Sequence, residues 1–232
     1  GVAGAVSAAN SLVGSAAGSF VGYGVLLLSN GNYGILSPDW VNGGLADAGA
    51  ATWGDGTSGA AGVVSAANSL IGSTANDRVG CEGVALANGH YVVLSPAWDS
   101  GPLTDAGAAT WGHGTSGVAG AVSAANSLVG GAANDQVGVG VKALANGHYV
   151  VLSRYWANAG APYAGAATWG DGTRGIAGPV SSANSLVGSA ANSFVGYAAT
   201  ALSNGNYVVH NYYWPNGSAL MAGAATWGDG TQ

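Results

Sequence analysis

Few residues in this sequence have the side-chain chemistry that acid–base, nucleophilic or metal-dependent catalysis requires. Glu82 is the only glutamate, and Gly24, Gly140 and Ala198 stand at the matching positions of the other repeats described below. Hydrolysis by paired carboxylates requires two groups held at a set separation, and no convincing second carboxylate accompanies Glu82. A solvated surface residue is therefore the simpler interpretation of Glu82.

The cysteine and the histidines lack the spacing of a catalytic or metal site. Cys81 is the single cysteine, and the sequence places no histidine beside it to activate a thiolate. The four histidines fall in three different columns of the repeat, with no His-x-x-x-His pair to suggest zinc. We therefore expect no catalytic residue, no metal and no cofactor, and predict that the protein is not an enzyme.

An Asp-Gly-Thr segment occurs in three of the four repeats, with its carboxylates at Asp55, Asp171 and Asp229. Calcium requires about six to eight oxygen ligands, which one aspartate per turn does not supply. An Asp-Gly turn whose carboxylate accepts backbone hydrogen bonds is the simpler interpretation. The same aspartates remain candidate polar contacts for a ligand.

Each repeat also carries one tyrosine and two tryptophans at fixed positions among Asn, Asp, Ser and Thr. Aromatic faces stack on the apolar C–H faces of sugars, while polar groups bond the hydroxyls. A set of identical weak sites gains about 10²- to 10⁴-fold in avidity. The candidate ligand-binding aromatic residues are Tyr33, Tyr91, Tyr149, Tyr207, Trp40, Trp98, Trp156, Trp214, Trp53, Trp111, Trp169 and Trp227.

The alternative is that these aromatic columns pack inside the protein, as they do in many repeats. For the Trp53 column, packing between repeats and a site at the rim both stay open. Trp40 lies at a predicted strand end beside a variable loop, which favours contact with a ligand. The Tyr33 column follows a predicted hairpin turn and is compatible with either role.

The overall composition excludes several classes of protein. Charged residues make up 6% of the chain, against about 25% in an average globular domain, and the net charge is −6. Nucleic-acid binding requires clustered cations, whereas this chain has four Lys and Arg residues in total. One cysteine cannot form a disulfide framework, and no apolar run reaches the length of a membrane-spanning helix.

The positions of the aromatic residues reveal four repeats of 58 residues, which account for all 232 residues without insertion or deletion. Trp53, Trp111, Trp169 and Trp227 share this spacing, as does the Tyr33 column. Self-similarity at a fixed period is typical of solenoids, propellers and stacked arrays. We therefore predict a single repeat domain over residues 1–232 with no internal linker.

Within the third repeat, short apolar segments alternate with turns. Residues 139–144 and 149–153 flank Asn146-Gly147, which predicts a hairpin with a type I′ turn. The segment Ala-Gly-Ala-Ala-Thr-Trp predicts a third strand, and the segment 119–125 predicts a fourth. Residues 129–135 bridge to the next repeat. The sequence is therefore predicted to be all-β.

Four strands in each repeat predict a β-propeller with four blades. The blades would span approximately residues 21–69, 79–127, 137–185 and 195–232, and the N-terminal strand, within residues 1–12, would complete the last blade and close the ring. The alternative is an open stack or solenoid, in which each repeat touches only its neighbours.

The segments Leu-x-Asn-Gly-x-Tyr-Val-Val-x-Ser-Pro-x-Trp and Ala-Gly-Ala-Ala-Thr-Trp-Gly-Asp-Gly-Thr resemble a repeat of large secreted bacterial proteins of the filamentous-haemagglutinin or adhesin type. The resemblance covers all four repeats and implies an extracellular or cell-surface setting and a binding role. It assigns no binding residues. The third repeat departs from the pattern, with Arg154 in place of proline and an altered loop, Ala161-Pro162-Tyr163.

We predict a non-enzymatic, multivalent carbohydrate-binding module of the lectin or adhesin type, with glycans or glycoconjugates as partners. Nucleic acid and membrane insertion are not expected. The alternative is a structural repeat that acts as a spacer in a large cell-surface protein without a small ligand.

Overall fold

The computed structural model describes residues 3–232, and its regular elements are short β-strands, as the sequence predicts. The strands are β1 Leu12–Val13, β2 Gly24–Leu27, β3 Tyr33–Ser37, β4 Ala50–Gly54, β5 Gly62–Val63, β6 Ser69–Ile71, β7 Glu82–Ala85, β8 Tyr91–Ser95, β9 Ala108–Gly112, β10 Gly120–Ala121, β11 Ser127–Val129, β12 Gly140–Ala143, β13 Tyr149–Ser153, β14 Ala166–Gly170, β15 Gly178–Pro179, β16 Leu186–Val187, β17 Ala198–Ala201, β18 Tyr207–Asn211 and β19 Ala224–Gly228. The same strand order recurs about every 58 residues, so the four-repeat organisation is confirmed.

The first two strands of each repeat form the hairpin that Asn-Gly predicts, but its turn differs from the prediction. In the first repeat, the Leu28 N–H donates to the Asn32 carbonyl (3.0 Å), which closes a loop of three residues. Gly31 has a left-handed backbone (φ 87°) and Asn30 does not. A type I′ turn needs a left-handed backbone at both residues, so the type I′ prediction is wrong; a three-residue loop needs only the glycine.

The third strand is confirmed and the fourth is displaced from its predicted position. In the second repeat, β9 pairs antiparallel with β8 on one side and with β11 on the other. The predicted fourth strand at 119–125 contains only β10, and a turn over residues 124–126 separates β10 from β11. Asn126 stabilises this turn, because its side chain accepts from the Ser123 N–H (2.9 Å) and donates to the Ala121 carbonyl (2.9 Å).

Short parallel strand pairs join each repeat to the next. β10, from the following repeat unit, pairs in parallel with β6, and β15 pairs with β11 in the same way. Two of the sheets therefore have five strands each, in the orders β10-β6-β4-β3-β2 and β15-β11-β9-β8-β7. The step from one repeat to the next is set by backbone hydrogen bonds as well as by side-chain packing.

Apolar side chains fill the space between successive sheets. One buried cluster joins Val92 and Leu94 of β8 to Tyr149 and Val151 of β13. A second joins Ala51 of β4 to Val93 of β8 in the same manner. Because side chains alternate between the two faces of a strand, the inner sheets are buried on both faces, and their strands contain runs of buried residues.

Closure of the four sheets into a propeller is not confirmed. Residues 1 and 2 of the predicted N-terminal strand lie outside the described residues, and residues 3–11 form no strand. β1 pairs with β5, and the last sheet consists of β17, β18 and β19. Among residues 3–232, β19 has a strand partner on one side only. In the described part of the chain, the strand pairs between repeats join each unit to the next, and the first and last sheets share no strand pair.

In the part of the chain that the structure describes, no helix is long and apolar enough to cross a membrane.

Candidate functional site

Trp40 and its equivalents do not lie at an exposed strand end. Trp40, Trp98 and Trp156 are 3–6% exposed. The backbone N–H of Trp40 donates to the Ser37 carbonyl (3.0 Å) in a tight turn. The Trp40 carbonyl accepts from the backbone N–H of Gly49 (3.0 Å). This turn folds the indole back into a cluster with Ala50, and the expectation of ligand contact at this column is corrected for these three copies. Trp214, in the last repeat, is half-buried beside a cavity.

Three tryptophans of the Trp53 column link successive repeats through hydrogen bonds. The Trp53 indole N–H donates to the Gly114 carbonyl of the following repeat (3.0 Å). Trp111 and Trp169 bond Gly172 and Gly230 in the same way (3.1 Å each). Of the two roles that the sequence left open, packing between repeats therefore describes these three tryptophans. Trp227 is 59% exposed, and its indole N–H has no such acceptor within residues 3–232.

The tyrosine column lies mostly in the interior. Tyr91, Tyr149 and Tyr207 are buried, and Tyr33 is half-buried. The Tyr33 hydroxyl accepts from the Ala60 N–H (3.0 Å), which connects the ring to the turn after β4. Burial raises the pKa of Tyr91 to about 12, so this hydroxyl stays neutral near pH 7. The column supports the sheets and leaves little surface for a ligand.

The aspartates of the Asp-Gly-Thr segments stabilise their own turns. Asp55 Oδ1 accepts from the backbone N–H of Thr57 (2.7 Å) and Ser58 (3.0 Å). The hydrogen bond from the Thr57 hydroxyl, together with these two backbone bonds, lowers the pKa of Asp55 to about 2. Asp171 and Asp229 accept from Thr173 and Thr231 in the same way (2.8 and 2.9 Å). Within residues 3–232, no group of three His, Cys, Asp or Glu side chains is arranged to hold a metal ion.

Two histidines substitute for asparagines in a conserved geometry of the repeat. The Gly114 N–H donates to His90 Nδ1 (2.9 Å), as the Gly56 N–H donates to Asn32 Oδ1 (2.9 Å) in the first repeat. Because Nδ1 accepts this bond, it carries no proton. Burial and the neighbouring His113 lower the pKa of His90 below its ordinary value of 6.5.

This geometry predicts that acid destabilises the protein partly through His90. The unfolded chain binds a proton at His90 more readily than the folded chain, so the free energy of unfolding falls as the pH drops below about 6.5. His90→Asn keeps the acceptor and removes the titration. Urea unfolding between pH 5 and 8 should show a flatter pH dependence in His90→Asn than in the wild type, with similar stability at pH 8. An identical slope in both proteins would contradict this role.

Cys81 and Glu82 do not form a reactive pair. The Cys81 Sγ donates to the Leu94 carbonyl (3.4 Å). Local burial of the sulfur and the charge of Glu82 raise the pKa of the Cys81 thiol to about 11. The thiol therefore stays protonated near pH 7 and is a poor nucleophile.

An aromatic surface that the sequence analysis did not predict lies between the third and fourth repeats. We call it the aromatic patch, and it consists of Tyr155, Tyr163, Phe194, Tyr197, Tyr212 and Tyr213. Tyr163 stacks on Phe194 with 5.8 Å between ring centroids and 9° between planes. The Phe194 and Tyr197 rings each lie 5.4 Å from Tyr213, and Tyr212 lies 4.2 Å from it. The patch is therefore one continuous set of contacting rings at the surface.

Arg154 contributes a positive charge to the aromatic patch. Its guanidinium carbon lies 4.8 Å from the ring centroid of Tyr155 and 5.8 Å from that of Tyr197. Arg154 lines a shallow cavity of about 390 Å³ together with Tyr155, Phe194, Tyr197 and Tyr213. A second cavity, of about 370 Å³, lies between Tyr155, Tyr163 and Phe194 and is also lined by Asn134 and Gln136. Both volumes are within the range of small-ligand sites, about 300–1,000 Å³.

The backbone beneath the aromatic patch recurs at two other junctions between repeats, whereas the side chains differ. Tyr163 and Phe194 have left-handed backbones (φ 54° and 49°), and the Phe194 N–H donates to the Tyr163 carbonyl (2.9 Å). The matching pairs are Asp47 with Arg78 and Asp105 with Gln136, and they make the same bond at 3.0 Å. Such conformations in non-glycine residues are strained and cluster at functional sites. The repeat thus displays variable side chains on a fixed frame.

The sequence contains a signal for the aromatic patch, because the third repeat departs from the common pattern there. Arg154 replaces the proline at positions 38 and 96, and Tyr163 replaces the aspartate at positions 47 and 105. These departures from the repeat mark the patch in the sequence, whereas the predicted site residues lie in columns that the copies share. Those shared columns proved to stabilise the repeat itself.

The chain matches the family model described as "Repeat of unknown function (DUF5650)" over residues 1–23, 27–81, 85–139, 143–197 and 201–232. The chain belongs to this family. Of the resemblance to haemagglutinin or adhesin repeats, one part is supported: a repeat of this family occurs about four times along the chain. A search among curated proteins found no match.

The partial DUF5650 matches at the two ends are complementary. Residues 201–232 correspond by the repeat spacing to 27–58, and residues 1–23 correspond to 59–81. Together they cover the same positions as one complete match. Each complete match begins near the end of a first strand and ends just before the next one, so it contains parts of two sheets.

Proposed function

We propose that this chain is a non-enzymatic carbohydrate-binding module of the lectin or adhesin type, and that the aromatic patch is its binding site. The observation that carries the proposal is the set of six contacting aromatic rings at the surface with Arg154 beside them. Rings of this kind stack on the apolar face of a sugar, and the surrounding hydroxyls and the guanidinium bond its polar groups.

The polar groups of the aromatic patch suit a neutral or acidic sugar. The Tyr212 hydroxyl lies 2.8 Å from that of Tyr197 and 3.2 Å from that of Tyr213. These contacts raise the pKa of Tyr212, which keeps the hydroxyl neutral and available for hydrogen bonding. In this proposal the protein acts at an extracellular or cell-surface location, with glycans or glycoconjugates as partners. Among residues 3–232 the aromatic patch occurs once, so the proposal has one site in place of the four equivalent sites expected from the sequence.

A glycan array followed by calorimetric titration tests the proposal. The test uses the triple variant Arg154→Pro/Tyr163→Asp/Phe194→Gln. The equivalent positions one repeat earlier are Pro96, Asp105 and Gln136, so the fold accommodates these residue types there. We expect the wild type to bind at least one class of sugar, and the triple variant to bind it at least about tenfold more weakly.

Asp55→Asn is the matched control, because it alters a predicted ligand residue remote from the aromatic patch in sequence. It should leave the affinity for the sugar unchanged. A wild-type protein that binds nothing on a broad array would refute the carbohydrate proposal. Binding that survives the triple variant, with its melting temperature preserved, would place the site elsewhere.

A structural spacer is the second candidate function, and the location of the repeated aromatic residues favours it. Trp40 and Trp98 are buried in the core, and Trp53 and Trp111 link successive repeats. A chain that uses its shared aromatic residues in this way resembles a rigid array more than a set of identical sites. A wild type without sugar binding, together with uniform resistance of all four repeats to proteolysis, would favour the spacer.

A further inference from the structure

The third repeat places an arginine without a carboxylate partner in the aromatic patch. Arg78 pairs with Asp39 (2.9 Å), and Arg174 pairs with Asp171 (2.8 Å). Arg154 is half-buried, and it forms no ion pair within residues 3–232. A guanidinium that is partly removed from water attracts an anion more strongly than a fully solvated one does. Arg154 therefore has the properties of a residue that binds a negatively charged ligand group.

Two aromatic rings hold the Arg154 guanidinium in position. Its carbon lies over the ring of Tyr155, 4.8 Å from the centroid, and over that of Tyr197 at 5.8 Å. Stacking uses the flat faces of the guanidinium and leaves the N–H groups at its edge for an acceptor. An arginine held in this way loses less conformational freedom when it binds an anion, which favours affinity.

The junction between the first two repeats shows what normally balances an arginine in this part of the repeat. Tyr155 occupies the position of Asp39, and Phe194 occupies the position of Arg78. The first junction therefore has an ion pair where the third has two aromatic rings. Arg154 introduces a positive charge at a neighbouring position without the carboxylate that accompanies Arg78.

Carboxylates of the second repeat are also replaced around Arg154. Asp99 and Asp105 lie together in the second repeat, where the Asp105 N–H donates to Asp99 (2.8 Å). The equivalent residues of the third repeat are Ala157 and Tyr163. These replacements remove negative charge from the loop that carries Arg154. The aromatic patch can therefore accept an anion although the whole chain has a net charge of −6.

Asp135 contacts the same loop but does not neutralise Arg154. Its carboxylate is buried and accepts from the backbone N–H groups of Gly131, Ala132 and Ala157. Both carboxylate oxygens are thus used by backbone donors. Within residues 3–232, Asp135 forms no ion pair with Arg154.

The two shallow cavities of the aromatic patch provide room for more than one sugar unit. The cavities, of about 390 and 370 Å³, share Tyr155 and Phe194 as a common wall. Arg154 lines the first cavity, and the amides of Asn134 and Gln136 line the second. A ligand of two linked units can therefore place one unit against the guanidinium and the other against the amides. These residues lie between positions 134 and 194, and the structure describes the repeats on both sides of them.

We propose that the aromatic patch binds an acidic oligosaccharide and that Arg154 is the residue that binds its carboxylate. This inference rests on the proposed carbohydrate-binding function. The planar fork of a guanidinium matches a carboxylate with two parallel hydrogen bonds, while the rings stack on the apolar face of the sugar. A neutral sugar would leave the half-buried guanidinium without a counter-charge, so the site favours the acid. The ligand class is a pyranose with a carboxylate, as in uronic acids and sialic acids.

Calorimetric titration with matched acidic and neutral ligands tests the proposal. The probes are oligomers of galacturonate and of glucuronate and a sialylated lactose, each as the free acid and as its methyl ester. The ester keeps the sugar ring and removes the charge. We expect the wild type to bind at least one free acid about tenfold or more tightly than its ester. Because this comparison uses the wild type alone, it does not depend on the folding of any variant.

Arg154→Gln tests the residue assigned to the carboxylate. It should weaken binding of the free acid by about tenfold or more and leave binding of the ester unchanged. A loss of affinity through altered folding would affect both ligands. Arg154→Lys, which keeps the charge but not the fork, should have an intermediate affinity for the acid.

Arg174→Gln is the matched control, because it removes the same charge from the opposite end of β13. Its partner Asp171 lies 3.6 Å from His148, which precedes β13, whereas Arg154 follows that strand. The two ends are about 20 Å apart by the rise of a strand. Arg174→Gln should bind the acid as the wild type does. An equal loss in Arg174→Gln and Arg154→Gln would show an effect of net charge and overturn the role of Arg154.

The outcomes separate this inference from the carbohydrate proposal. Equal affinity for acid and ester, or binding of neutral sugars alone on the glycan array, would overturn the acidic preference and leave carbohydrate binding in place. A preference for the acid that persists in Arg154→Gln would overturn the assignment of the carboxylate to Arg154. A wild type that binds no sugar of either kind would refute both proposals.

Discussion

Replacing Gly112 with alanine is expected to lower the free energy of unfolding by about 3 kcal/mol, through steric overlap in a close-packed interior. Gly112 lies directly opposite Tyr91 in the β8–β9 pair. A Cβ on Gly112 would overlap the Cζ and Cε atoms of the Tyr91 ring, which is buried. Chemical denaturation measures the loss directly.

Gly131→Ala is the matched control for Gly112→Ala. A Cβ at Gly131 meets nothing within 4 Å, and serine occupies the equivalent positions 15, 73 and 189. Its effect should stay within about 0.5 kcal/mol, or stabilise slightly through the loss of freedom in the unfolded chain. Equal stabilities for the two variants would show that the tyrosine ring yields easily and would contradict the close packing described for β8 and β9.

Asp135→Ala is expected to destabilise the protein by about 3 kcal/mol, because it removes one acceptor from three backbone donors. The buried Asp135 carboxylate accepts from the N–H groups of Gly131 (2.9 Å), Ala132 (2.8 Å) and Ala157 (2.9 Å). It thereby ties the loop between two repeats to the loop that follows β13. Burial raises the pKa of Asp135, against the effect of these three bonds.

Asp135→Ser gives the comparison for the alanine variant. Ser19 and Ser193 occupy the equivalent positions in the outer repeats, so the fold accommodates a smaller polar group there. The serine variant should lose less stability than the alanine variant in the same denaturation experiment. Local hydrogen exchange at residues 131–135 and 157 should accelerate most in Asp135→Ala. Unchanged exchange at these amides would contradict the role given to the carboxylate.

Much of the local structure was predictable because it depends on short-range chemistry. Asn-Gly placed the hairpins correctly, since glycine adopts the left-handed backbone that closes the loop at Gly31. The type of turn was missed, because the same dipeptide serves two-residue and three-residue loops. The fourth strand was placed too early, because residues 119–125 and 127–129 are similarly apolar, and only pairing with β9 selects the second segment.

The site was harder to predict, because repetition is equally consistent with binding and with packing. Trp40 stands beside a variable loop, yet the turn at Ser37 directs its indole into the core. Trp53 stands beside an exposed turn, yet its indole nitrogen meets a carbonyl 61 residues later in the chain. No local pattern distinguishes these arrangements from an exposed tryptophan.

The sequence by itself determined the period, the strand content and the nearly uncharged character of this chain, because each depends on residue type and spacing alone. Only the tertiary structure decided which aromatic residues are buried, since that depends on which sheet covers which. It also decided that Arg154 and the six rings of the aromatic patch form one surface, because they come from three separate loops. The different exposure of Val6 and its equivalent Val64 is likewise tertiary, since the residue type is the same at both positions.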